Sequence, residues 1–113
     1  MHWFRALDER TLYVQFNQTW DAPDQSLAQF AERLGHALED TQLTRLLVDV
    51  RHNNGGNSGL LGPLLDVLQR FEKSRSHARL WVLMGRNTFS AAQIFLGHVD
   101  HLTSARFAGE PSS

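Results

Sequence analysis

The stretch LLVDVRHNNGGNSGLLGPLLDVLQRF, residues 46–71, carries the strongest structural signals in this chain. Residues 46–50 form an apolar run typical of a buried strand. Residues 51–57, RHNNGGN, form a turn whose glycines allow another backbone to approach closely. From Leu60 to Phe71 leucines recur at helical spacing, which predicts an amphipathic helix. Strand, glycine-rich loop and helix therefore follow one another without a break.

The next stretch repeats the pattern. A second apolar run, LWVLM at 80–84, ends at Gly85 and predicts another buried strand. The segment TFSAAQ at 88–93 then begins a third helix, with Ser90 at its start. A further strand is predicted at 105–108.

Upstream, residues 11–17 alternate between apolar and polar and predict a strand. A helix should follow to about Asp40, with Asp24 or Ser26 as its N-cap. The order β-α-β-α-β-α-β predicts an α/β layer with right-handed crossovers and a largely parallel sheet. Because the sequence stops soon after the last strand, we expect residues 1–113 to be one partial domain, truncated at its C-terminal edge.

Composition narrows the function classes. A formal net charge of −1 and no evident clustering of arginines with aromatic residues argue against a nucleic-acid partner. No apolar run reaches the roughly 18 residues that a membrane helix needs, and the N-terminus has no signal-peptide pattern. With no cysteine in the sequence, disulfides, thiolate metal ligands and cysteine nucleophiles are excluded.

These motifs together resemble the catalytic core of the tail-specific, or carboxy-terminal processing, serine peptidases. That family has a strand ending in Asp-Leu-Arg, a Gly-Gly loop, a Ser-Ala-x-Glu motif and a later Gly-Glu-Pro-Thr turn. The corresponding residues are Asp49-Val50-Arg51, Gly55-Gly56, Ser90-Ala91-Ala92-Gln93 and residues 107–112. The resemblance implies a crotonase/ClpP-like layered fold.

The resemblance also implies roles. Ser90 matches the nucleophile, and the backbone N–H groups of Gly56 and Ala91 match the oxyanion donors. Gly55 is the adjacent possibility for the loop donor, and Asn53 and Gly55 are expected to contact substrate. The lysine base of the family would fall just beyond Ser113, so we expect little or no peptidase activity from these 113 residues alone.

The residues alone leave other interpretations open. Ser90 and Gln93 also fit a capping box, and the Asn-Gly loop also fits an ordinary turn. His52 with Asp49 could form a triad-like arrangement with Ser90, whereas Lys73, the sole lysine, matches no catalytic position. His98, Asp100 and His101 are better explained as surface residues than as a metal site.

The predicted function is hydrolysis of peptide bonds in polypeptides by a longer parent protein, without cofactor or metal. By resemblance the parent would be bacterial and would work outside the cytoplasm. Two alternatives remain: a non-catalytic peptide-binding relative, and a crotonase-like enzyme acting on acyl thioesters. An exposed sheet edge would also favour self-association.

Overall fold

The computed structural model describes residues 2–17, 19, 25–53, 55–74, 77–85 and 91–109. Within them the chain forms five strands, three α-helices and one 3₁₀ turn. In chain order they are β1 Trp3–Ala6, β2 Thr11–Gln15, α1 Leu27–Ala37, β3 Arg45–Asp49, the 3₁₀ turn Ser58–Leu60, α2 Gly62–Ser74, β4 Arg79–Met84, α3 Ala91–Leu102 and β5 Arg106–Gly109.

The five strands form one sheet in the order β1-β2-β3-β4-β5. Neighbours from β2 to β5 run parallel, as predicted, and β1 pairs antiparallel with β2. The α/β class and the order from β2 to β5 are confirmed. The sequence prediction missed β1, because in its four residues only Phe4 is packed against the core, which leaves no alternating pattern to detect.

One face of the sheet carries the hydrophobic core. Alternate residues of β2, β3 and β4 point into a single buried cluster that also contains apolar residues of all three helices. Phe30 of α1 contacts Phe4, and Phe95 of α3 lies edge-on to Phe16 with ring centroids 5.3 Å apart. All three helices therefore cover the same face.

Local signals position the first helix. The Ser26 hydroxyl accepts the N–H of Gln29, and the Gln29 side chain accepts the N–H of Ser26, which makes a complete capping box. Of the two predicted N-caps, Ser26 is the one used. The helix ends at Ala37, with Leu38 as its C-cap, slightly earlier than the predicted limit near Asp40.

The opposite face of the sheet, the open face, has no described helix packed on it. The strand register places arginines and aromatic residues together there. The expectation that they do not cluster was wrong, because residues far apart in sequence are brought into the same rows by the register. The open face consists of Trp3, Arg5, Thr11, Tyr13, Gln15, Arg45, Leu47, Asp49, Arg79, Trp81, Leu83, Arg106 and Ala108.

Candidate active site

The carboxyl ends of the parallel strands meet at one edge of the sheet, the place where open α/β sheets bind ligands. The glycine-rich loop leaves β3 at this edge, and Gly85 follows β4. The helix α3 begins nearby, at Ala91, and Gly109 ends β5. Of the predicted site residues, Asn53, Gly55, Gly56 and Ala91 belong to described segments at this edge.

Backbone pairing fixes the second half of the glycine-rich loop. The N–H of Thr19 donates to the Gly55 carbonyl at 3.0 Å, and the N–H of Asn57 donates to the Thr19 carbonyl at 2.8 Å. Gly56 therefore sits opposite Thr19 in a parallel bridge. In that pattern the N–H of the central residue points away from the partner segment.

Asn53 fixes the first half of the loop. Its side chain is fully buried, donates to the Phe16 carbonyl at 3.1 Å and accepts the Gly55 N–H at 2.9 Å. The amide oxygen and nitrogen are both used inside the protein. Asn53 was predicted to contact substrate, and the structure instead gives its side chain a part in shaping the loop.

The two glycines differ in whether their N–H groups are already hydrogen-bonded. Gly55 and Gly56 have φ values of 114° and 142°, a region that side-chain-bearing residues avoid. The Gly55 N–H is occupied by Asn53, whereas the Gly56 N–H has no acceptor among the described residues. This geometry is consistent with the prediction that Gly56, rather than Gly55, offers a backbone donor to a ligand.

Asp49 anchors the start of the loop. Its carboxylate is fully buried, although the Arg51 side chain that neutralises it is 51% exposed. One oxygen accepts the backbone N–H and the Nε of Arg51, both at 3.0 Å. The other accepts the Arg51 Nη2 at 2.9 Å and the Tyr13 hydroxyl at 2.5 Å. Four hydrogen bonds therefore tie the end of β3 to β2 and to the loop.

Charge states in this cluster follow from the same contacts. Burial alone raises the pKa of Asp49, but the hydrogen bonds from Arg51 and Tyr13 outweigh it and hold that pKa below its ordinary value. Burial and the Asp49 carboxylate raise the pKa of the Tyr13 hydroxyl. Asp49 is thus an anion and Tyr13 a neutral donor at neutral pH.

The alternative catalytic histidine gains no geometric support. Both Asp49 oxygens are occupied by Arg51 and Tyr13, and no hydrogen bond joins Asp49 to His52, whose side chain is exposed. The structure therefore shows no Asp49–His52 pair.

The predicted nucleophile lies outside the described residues. Ser90 immediately precedes α3, and the helix does begin at Ala91 as the sequence indicated. The 3₁₀ turn that follows the glycine loop contacts α3. The 3₁₀ turn directly after the loop is therefore packed against α3.

The sole lysine of the sequence is distant from this edge. Lys73 lies exposed at the end of α2, and since α2 leads into the first residue of β4, Lys73 is at the opposite edge of the sheet. Within the described ranges no group of three or more His, Asp or Glu side chains could hold a metal ion. His98 and His101 are exposed on α3.

Comparison with solved structures identifies proteins of the same fold. The protein shares its fold with a processing protease. The photosystem II D1 C-terminal processing protease superimposes with a TM-score of 0.68 at 18% identity, over 90% of this chain and 30% of that one. A lipoprotein from Streptococcus agalactiae gives 0.73 at 16% identity, over 98% of this chain and 49% of that one.

A third solved structure is of another kind. The anti-sigma factor antagonist SpoIIAA, in its unphosphorylated form, superimposes with a TM-score of 0.66 at 15% identity. The match covers 96% of this chain and 88% of SpoIIAA, whereas the chain spans half or less of the lipoprotein and the protease. No family model and no curated protein matches the sequence. No helix in the described part is long and apolar enough to cross a membrane.

Proposed function

We propose that this chain is the catalytic core of a serine peptidase of the tail-specific type. Ser90 attacks the peptide carbonyl, and the N–H groups of Gly56 and Ala91 stabilise the oxyanion that develops. A lysine beyond Ser113 takes the serine proton. The substrates are polypeptides, and the parent protein works outside the cytoplasm.

The proposal rests mainly on the Gly56 N–H group and on whether it has a hydrogen-bond acceptor. It has no acceptor among the described residues, although hydrogen bonds hold its neighbours Gly55 and Asn57. A donor that is fixed in direction before substrate arrives stabilises a transition-state oxyanion without reorganisation. Asn53 and Asp49, both fully buried, hold the loop in this conformation.

The central experiment is peptide hydrolysis by the parent protein extended past Ser113, comparing wild type with Ser90→Ala. We expect kcat/KM to fall by about a thousandfold or more, since removal of a nucleophile leaves only binding and oxyanion stabilisation. Ser58→Ala is the matched control, because Ser58 is an exposed serine just after the same loop. Unchanged hydrolysis in Ser90→Ala would rule out the assignment.

Asn53 is proposed as a positioning residue rather than a substrate contact. Asn53→Ala removes the acceptor of the Gly55 N–H and the donor to the Phe16 carbonyl. We expect a lower kcat with little change in KM, because the loop donor is no longer fixed for the transition state. A change in KM alone would instead support the original assignment to substrate contact.

The second candidate function is a non-catalytic binding module. It is favoured by one observation, the superposition on nearly the whole of SpoIIAA, which is named for antagonism of an anti-sigma factor and not for hydrolysis. Under this alternative the Ser90→Ala parent keeps its full biological activity. The same comparison of wild type and Ser90→Ala therefore separates the two functions.

A further inference from the structure

The open face has an ordered charge pattern. Its central row crosses all five strands through register pairs, in the order Arg5, Tyr13, Leu47, Trp81 and Arg106. Four inter-strand spacings make this row about 19 Å long. An arginine therefore stands at each end of a row whose middle is apolar.

Further arginines flank that row on both sides along the strand direction. Arg45 and Arg79 are paired neighbours one step toward the start of the strands, and Arg51 folds back onto Asp49 at the other end. We call the exposed set Arg5, Arg45, Arg51, Arg79 and Arg106 the arginine ring. It encloses an apolar centre of half-buried side chains, namely Tyr13, Leu47, Trp81 and Leu83.

The ring holds five of the eleven basic residues of a chain whose net charge is −1. Among the described open-face residues only Asp49 is acidic, and Arg51 already neutralises it. Asp8, in the turn after β1, acts on Arg45 from outside the face. Arg79 and Arg106 have no ion-pair partner in the described part of the chain. The face is therefore cationic although the protein as a whole is not.

We propose that the open face is a docking surface for an acidic polypeptide segment with an apolar stripe. Its composition of tryptophan, tyrosine and arginine is that of interface hot spots, and an apolar centre within a charged rim is the usual anatomy of a protein interface. Carboxylates of the partner would meet the arginine ring while its apolar side chains cover Leu47 and Leu83. This surface reaches the carboxyl edge only at Arg51 and Leu83 and does not depend on Ser90.

Other occupants fit less well. A second copy would place one arginine ring against another, which charge repulsion opposes. Single-stranded nucleic acid stacks its bases on open aromatic faces. Here Trp3 packs against Tyr13, and the guanidinium groups of Arg5 and Arg106 lie 5.7 and 5.8 Å from the ring centroids of Trp3 and Trp81.

The test is fluorescence anisotropy of a labelled helical peptide built from glutamate, leucine and alanine, titrated with the chain at low and at physiological salt. We expect binding that weakens with salt, and a loss of affinity of about tenfold or more in Arg79→Glu with Arg106→Glu. The matched control is Arg33→Glu with Arg70→Glu, the same charge change on exposed positions of α1 and α2. Circular dichroism confirms that both double variants are folded.

Four results would overturn the proposal. The first is no binding of the acidic peptide at low salt, and the second is an equal loss of peptide affinity in the control double variant. The third is equal binding of a peptide with lysine in place of glutamate. The fourth is arginine-dependent binding of oligothymidylate or phosphatidylglycerol vesicles that is tighter than binding of the peptide. A Trp81 emission change that follows the titration, and that disappears in Trp81→Phe, would locate the bound peptide on the open face.

Discussion

The two faces of the sheet use the same strands for different purposes. On the helix-covered face every second residue is apolar and almost completely buried, as Val14, Leu46 and Val82 show. On the open face the alternating neighbours are arginines, aromatic residues and leucines that keep part of their surface in solvent. Stability is therefore concentrated on one face and recognition chemistry on the other.

The burial of a strand residue depends on which face of the sheet it occupies. Leu46 and Leu47 are adjacent and chemically identical, yet one has no exposed surface and the other is half-buried. A strand with both faces covered would give its two leucines the same environment. Substitutions on the two faces can therefore measure how much of the fold depends on each.

The largest expected effect comes from Leu46→Ala compared with Leu47→Ala. Leu46→Ala leaves a cavity in the core and should lower the free energy of unfolding by about 3 kcal/mol. Leu47→Ala removes only partly buried surface and should cost about 1 kcal/mol. Urea denaturation of both variants measures the difference. Equal losses would mean that something covers the open face of the isolated chain in solution.

The next effect concerns Asp49, which faces the open side but is fully buried. Losing one partner of a buried ion pair costs about 3–5 kcal/mol. Because half of the Arg51 side chain stays in solvent, we expect about 2 kcal/mol for Asp49→Asn at neutral pH. Urea denaturation near neutral pH gives the value, with exposed Asp66→Asn as the control.

The pH dependence of that effect has a definite sign. The pKa of Asp49 is lower in the folded protein than its ordinary value of 3.8. Its stabilisation is therefore complete above that value and is lost as the pH falls through the folded pKa. The stability gap between wild type and Asp49→Asn should shrink in acid. A gap that is constant down to strongly acidic pH would contradict the cluster described for Asp49.

A smaller effect belongs to the helix-covered face. Ser26→Ala removes the hydroxyl of the capping box and should cost about 1 kcal/mol. Ser104→Ala is a suitable control, since the Ser104 contact to Glu72 is made by its backbone N–H. Thermal denaturation of both variants would test the cap. An equal shift in Tm for the two would show that the cap contributes little.

The smallest expected effect on stability is that of Arg106→Ala. Its contact with Trp81 is exposed, so we expect a loss of about 0.5 kcal/mol at most. The same substitution should weaken acidic-peptide binding measurably. A large loss of stability without a loss of binding would mean that Arg106 serves the fold and not recognition.

The periodic signals in the sequence were sufficient for most of the fold. Apolar runs and helical spacing predicted β2, β3, β4, α1 and α2, and the short segments 88–93 and 105–108 predicted the start of α3 and the strand β5. β1 was not predicted, because Trp3 and Arg5 face outward and leave a single core residue, Phe4. Antiparallel pairing to β2 is a tertiary contact that no local pattern of four residues encodes.

The site was predictable in part. Gly55 and Gly56 were identified as a close-approach loop, and both have positive φ values, which glycine adopts readily. Which N–H stays available depends on Asn53 and on Thr19, and the latter lies far from the loop in sequence. The arginine ring was not foreseen, because it depends on the register of five strands and not on spacing along any one of them.

The order of the strands has a consequence for synthesis. Each strand pairs with the one that precedes it in the chain, and none is inserted between two earlier neighbours. As the polypeptide leaves the ribosome, β1 and β2 can pair first, and each later strand with its helix can join an edge that is already formed. The sheet can therefore grow in the direction of translation, one strand and one helix at a time.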